Sequence, residues 1–156
     1  MTQGLDHIGF AVSDLERSIG FYSLLLEREP LGRRLYTEQY VAEVLGYDAI
    51  EIDTAFFTLS NDTVLELLEY RLPGGRPVDM ETSNPGNGHL CLVTDDLDHE
   101  LSRLEGTGCE LRSATPVTIP VGPYRGGRSV YLRDLDGISI QLLEPPAGGP
   151  SFEDLG

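Results

Sequence analysis

Residues 7–25 read HIGFAVSDLERSIGFYSLL, and residues 89–108 read HLCLVTDDLDHELSRLEGTG. In both stretches a histidine opens an apolar run, an Asp follows seven positions later (Asp14, Asp96) and a Leu eight positions later (Leu15, Leu97). The copies are offset by 82 residues in a chain of 156, so the sequence reads as a duplicated module.

Each copy opens as a strand. Residues 5–12 (LDHIGFAV) and 88–94 (GHLCLVT) are rich in β-formers. A helix follows, with Asp14 and Asp96 placed to accept hydrogen bonds from first-turn amides. Leu15, Ile19, Tyr22 and Leu26 recur at helical spacing, as do Leu97, Leu101 and Leu104, and Gly106 and Gly108 stop the second helix. Strands return at 50–59 and 63–70 around the turn Ser60-Asn61-Asp62. In the second copy they return at 128–133 and 138–144 around Asp134-Leu135-Asp136-Gly137, a hairpin signal. The expected fold is α+β, two tandem βαβββ modules spanning 1–72 and 87–145. A linker at 73–86 joins them, and a flexible tail at 146–156 follows. Residues 28–49 read as a long connection with a short helix near Glu38–Leu45. The Pro- and Gly-rich loop 114–127 reads as a lid over a site.

Composition narrows the function. Asp and Glu number 26 against 11 Lys and Arg, a net charge of −15. That balance repels phosphate backbones and anionic lipid, so neither nucleic acid nor membrane is expected as a partner. No apolar run approaches the roughly 18 residues needed to cross a bilayer. The start MTQGLDHIGF lacks a basic-then-apolar leader, so a cytoplasmic location is expected. Cys91 and Cys109 have no CxxC spacing and read as buried small hydrophobes rather than a disulfide.

Four polar residues stand at matching places inside apolar strands: His7 and His89 in the opening strands, Glu66 (VLELL) and Gln141 (SIQLL) in the closing ones. Buried among Leu and Ile, such groups need partners. One histidine in a strand is ordinarily a satisfied core or surface residue. Four in register across a duplication point instead to one divalent cation. Two imidazoles, a carboxylate and an amide oxygen suit Zn, Fe, Co, Ni or Mn, with two octahedral positions left for substrate. His99, between Asp98 and Glu100, reads as solvated.

On LDHIGFAVSDLERSIGFY, NGHLCLVTDDLD and YLRDLDGISIQLLEP the chain resembles the vicinal oxygen chelate superfamily. This family includes glyoxalase I, methylmalonyl-CoA epimerase, extradiol dioxygenases, and fosfomycin and bleomycin resistance proteins. The resemblance implies paired modules whose curved sheets form a cup around a metal. It places His7, Glu66 and His89 on ligand positions. The last ligand is usually a Glu in G-x-x-I-E-L; here GISIQL puts Gln141 there.

The expected function is that of a glyoxalase-like, metal-dependent lyase, isomerase or epimerase working through an enediolate beside a carbonyl. Glu66 is the expected proton carrier. The expected substrate is a small molecule with adjacent oxygens, contacted by Tyr124, Arg125 and Arg128, and the expected assembly is a homodimer. Glu51 and Asp53 read as a polar strand face. Two other readings stand beside it: a drug- or metabolite-sequestering binding protein, and a small Fe(II) extradiol-type dioxygenase.

Overall fold

The computed structural model describes residues 4–60 and 62–152. It divides into two compact units, Met1–Pro77 and Val78–Gly156, each an α+β module. Among the described residues no helix is long and apolar enough to cross a membrane.

The first unit runs β1 (His7–Ala11), α1 (Leu15–Leu26), β2 (Gly32–Tyr36), α2 (Gln39–Leu45), β3 (Glu51–Thr58) and β4 (Val64–Leu72). Its sheet has the order β1-β4-β3-β2, with β1 parallel to β4 and the other pairs antiparallel. Period-2 alternation sends Leu65, Leu67, Ala55 and Phe57 to one face, where all four are fully buried. α1 supplies Leu15, Ser18, Phe21, Tyr22 and Leu25 as its buried residues, a stripe turned slightly from the expected one, with Ile19 and Leu26 half-buried. Each large apolar side chain removed from water here contributes about 1.5–3 kcal/mol.

The expected connection at 28–49 holds more than a helix. GRRLY forms edge strand β2, which is mostly exposed and therefore shows no alternation to read. α2 lies where a short helix was expected. Ala42, Ile50 and Ile52 form a small second core, against which Tyr36, Val41, Leu68 and Tyr70 pack. Leu68 and Tyr70 share the face of β4 opposite Leu65 and Leu67, so α2 packs on the face that α1 leaves open. Of the turn Ser60-Asn61-Asp62, Asn61 lies outside the described residues.

The second unit runs β5 (His89–Val93), α3 (Leu97–Leu104), β6 (Glu110–Leu111), β7 (Val117–Thr118), β8 (Arg128–Arg133) and β9 (Ser139–Glu144). The order β5-β9-β8-β6 repeats the first sheet. β6 and β7 pair with opposite ends of β8, so together they act as one interrupted edge strand where the first unit has β2. Leu90, Val130, Leu132, Ile140 and Leu142 are buried, as are Leu97 and Leu104 of α3. The Asp134–Gly137 turn forms as expected: Asp134 Oδ1 accepts from the amides of Asp136 and Ile138 at 2.9 and 2.8 Å, and Gly137 has φ 85°.

Two regions hold more structure than the sequence showed. One is loop 114–127, expected as a lid over a site. It contains β7, and Ile119 and Gly127 close a hairpin in which the Ile119 amide donates to the Gly127 carbonyl at 2.8 Å. A Cβ on Gly127 would stand 2.5 Å from the Glu144 carbonyl oxygen, so this close backbone approach requires glycine. The tail expected to be flexible from 146 packs on that loop through residue 152: the Ser151 amide donates to the Pro123 carbonyl, and Phe152 meets Tyr124 edge-on at 6.1 Å. Residues 153–156 lie outside the described set.

The repeat extends to the helix starts. Asp14 accepts from Arg17 N at 3.0 Å and Asp96 from His99 N at 2.9 Å, as the sequence implied. A second carboxylate reaches each helix from the sheet. Glu69 Oε2 accepts from Leu15 N, and Glu144 Oε2 from Leu97 N, both at 2.9 Å. These anions satisfy orphan amides and sit at the positive end of the helix dipole. Glu69→Ala is expected to destabilise the chain by about 1–3 kcal/mol, read by urea unfolding, because it strands the partly buried Leu15 donor.

Candidate metal centre

Register, rather than sequence distance, positions the site residues. On the parallel pair β1/β4, Gly9 lies opposite Glu66, so His7 stands two residues before Glu66's neighbour on the same face. On β5/β9, Cys91 lies opposite Gln141, and His89 stands two residues before it. The two units therefore present His–Glu and His–Gln pairs in identical register, on the sheet face opposite α1 and α3.

In the first unit His7 Nε2 lies 3.6 Å from Glu66 Oε2. That is too long for a hydrogen bond. It is near the roughly 3.4 Å that separates two ligands each about 2.1 Å from one ion at a tetrahedral angle, and wider than the roughly 3.0 Å of adjacent octahedral ligands. His7 Nδ1 is 2.8 Å from Asp6 Oδ2, a contact that orients the imidazole with Nε2 on the Glu66 side, as an outer carboxylate does for metal-binding histidines generally. The Glu66 side chain is 13% exposed and accepts no hydrogen bond from a described residue, so its carboxylate lacks a donor. Gly9 leaves space beside it, since a Cβ there would come within 3.7 Å of Glu66 Oε2 and 3.2 Å of Leu68 Cδ1.

Electrostatics agree with that geometry. Burial pushes the Glu66 carboxyl above its ordinary range, and the attraction of His7 opposes the shift. His7 is raised chiefly by its hydrogen bond to Asp6, with burial acting the other way and Glu66 adding a smaller push upward.

In the second unit His89 Nε2 lies 3.1 Å from the Tyr131 hydroxyl, with ring centroids 5.2 Å apart. Gln141 Nε2 donates to Ser129 Oγ at 2.9 Å, and the Ser129 hydroxyl donates its own proton to the Leu142 carbonyl at 3.0 Å. Ser129 can therefore only accept from the amide, which turns the Gln141 NH2 toward it and leaves Oε1 as the end available to a cation. Tyr131 and Ser129 were not singled out from sequence. Counting back along β8 from the Asp134 turn places both on the Gln141 face.

Among the described residues no three His, Cys, Asp or Glu side chains gather as a metal site. Each unit by itself supplies two donors. Each pair taken alone, an imidazole beside a carboxylate in the first unit and an imidazole beside an amide in the second, has the donor chemistry that borderline divalent cations accept.

The remaining predicted residues fall elsewhere. Arg128 was expected to contact substrate. It lies on the opposite sheet face from Gln141 and is held by Glu144 at 2.7 Å and Asp98 at 2.8 Å. Asp53 likewise lies on the helix-side face, ion-paired with Arg33 and Arg71. Arg125 lines an open cleft of about 380 Å³ with Pro120, Pro123, Pro146 and Ser151. Tyr124 rests on Phe152. Cys91, expected to be buried, is exposed on the His89 face, because it sits at the alternate phase to Leu90. His99 is exposed, as expected.

Residues 4–142 match the family described as the Glyoxalase/Bleomycin resistance protein/Dioxygenase superfamily, and the chain belongs to it. A 2-epi-5-epi-valiolone epimerase from Actinomyces sp is 29% identical over 148 residues, 92% of this chain and 80% of that one. A lactoylglutathione lyase from Salmonella typhimurium is 27% identical, covering 92% of this chain and 93% of its own. Among solved structures, a glyoxalase family protein from Bacillus cereus superposes with a TM-score of 0.81 at 20% identity, covering 94% and 96% of the two chains. The fosfomycin resistance protein FosX from Listeria monocytogenes, complexed with Mn(II), gives 0.61 at 18% identity, covering 96% and 98%.

The raised Glu66 carboxyl has a sign. A folded pKa above the unfolded value gives a contribution that is complete below the unfolded pKa and is lost as pH rises through the folded one. In metal-free protein, Glu66→Gln should therefore raise the melting temperature at pH 7–8. The gain should vanish below the ordinary carboxyl value of 4.5, as measured by thermal scans across pH.

Proposed function

We propose that the chain is a metal-dependent lyase, isomerase or epimerase that moves a proton on the carbon beside a carbonyl, with His7, Glu66, His89 and Gln141 as ligands of one divalent cation. The observation that carries this reading is the Glu66 carboxylate, which accepts no hydrogen bond from a described residue, facing Nε2 of His7 at 3.6 Å, with the same register repeated at His89 and Gln141. The named activities of the epimerase and lyase relatives support it, as does Mn(II) in the FosX structure.

A divalent cation bound there supplies positive charge to two adjacent substrate oxygens and steadies the negative charge that proton loss creates. The chain's own groups do the rest. Asp6 holds the His7 tautomer. Glu66, its basicity lifted by burial, accepts the proton and returns it. Gly9 keeps the space beside Glu66 open for the substrate carbon. Gln141 has no acidic proton and serves by position alone, oriented by Ser129.

In deuterium oxide, the purified chain with Mn(II) or Zn(II) should exchange the proton beside the carbonyl of a 2-hydroxyketone, followed by proton NMR. A chelator should stop exchange and added cation should restore it. Exchange that persists undiminished in metal-free protein refutes the reading. Tight ligand capture without exchange would mark a sequestering protein instead.

A further inference from the structure

Building on that reading, we infer that the site takes an uncharged substrate: a compact hydroxyketone whose oxygens face Glu66 and whose carbon body lies on Phe56, Leu68 and Tyr70. A glutathione adduct, a coenzyme A thioester or a phosphonate is the wrong class for this face.

The inference follows from the side chains surrounding Glu66 in the first unit. Along β4 the same face carries Glu66, Leu68 and Tyr70. Their partners across β3 are Phe56, Thr54 and Ile52, and Gly9 and Ala11 on β1 complete the surround. Thr54 is buried and its hydroxyl is committed to the Arg34 carbonyl at 2.9 Å. Phe56, Leu68 and Tyr70 are only half-buried, which leaves apolar and aromatic surface for a ligand. Past Tyr70, α2 closes this end through the Ala42–Ile50–Ile52 core. Among the described residues the second unit has no counterpart of α2.

No free cation stands on this face to receive an anion. Among the described residues its one arginine is Arg34, which donates to Glu38 at 2.6 Å and lies 4.6 Å over the Tyr36 ring. His7 is engaged by Asp6. On the matching face of the second unit, Arg133 is paired with Glu81 at 3.0 Å. The sequence contains no lysine, and its net charge is −15. The proposed cation can meet the oxygens beside Glu66, but no side chain of this face is free to receive a further negative charge on the substrate body, whereas a neutral body gains from burial alone.

Two probes differing in one charge test this: 2-hydroxycyclohexanone and its ring-carboxylated analogue. On full-length chain loaded with Mn(II), paramagnetic broadening of the probe's own NMR lines reports approach to the metal whether or not turnover occurs. The neutral probe should be broadened at concentrations about tenfold lower than the carboxylate, and Phe56→Ala should weaken it about tenfold while leaving Mn(II) affinity unchanged. Equal or tighter binding of the carboxylate, or of a glutathione hemithioacetal, overturns the inference. So does anion binding lost in Arg125→Ala. If the chain takes up no Mn(II), the metal reading fails separately. The substrate class is then decided on metal-free chain by the Phe56 and Tyr70 ring resonances, where neutral preference supports it and carboxylate preference overturns it.

Discussion

The parallel pairing of the first and last strands of each module is the constraint on which the rest depends. Strand side chains alternate, so a one-residue slip in β1/β4 would turn His7 away from Glu66 and bring the half-buried Ile8 onto the opposite face. Leu65 and Leu67 on the helix side prevent that slip, because their burial fixes the phase of β4. The hydrophobic core thus specifies the functional face indirectly: whatever is not needed under the helix is presented on the other side, and there the chain places its donors.

The same logic separates the carboxylates by role. Glu66 faces away from α1 with no donor, while Glu69, three residues on, faces α1 and holds the Leu15 amide. Glu144 repeats the Glu69 role for α3 and also holds Arg128. Of the acidic residues in these strands, those on the helix side are consumed by structure. Of Glu66, Glu69 and Glu144, Glu66 alone accepts no hydrogen bond from a described residue, which is why the proposed chemistry is assigned to it.

Much of this was legible from the sequence. The His-to-Asp spacing gave the duplication, Asp14 and Asp96 gave the helix starts, and the Asp134–Gly137 turn gave the last hairpin. Alternation put Glu66 with Leu68 and Tyr70. What could not be read depends on long-range pairing. The Glu69 and Glu144 caps act across 54 and 47 residues. The partners of Arg128 lie 16 and 30 residues away. β2 is an exposed edge strand with no apolar period, and β6 and β7 are only two residues each. Ser129 and Tyr131 gained meaning only once strand register set them beside Gln141 and His89, and Asp6 once its carboxylate was seen to turn back on the neighbouring His7.

One titration tests the central claim most directly. Imidazole-nitrogen NMR of His7 and His89 should be followed as a divalent cation is added to the metal-free chain. Convergence of the two halves on one ion predicts that the Nε2 resonances of both histidines shift together and saturate at one equivalent. Movement of one alone, or of neither, would contradict it.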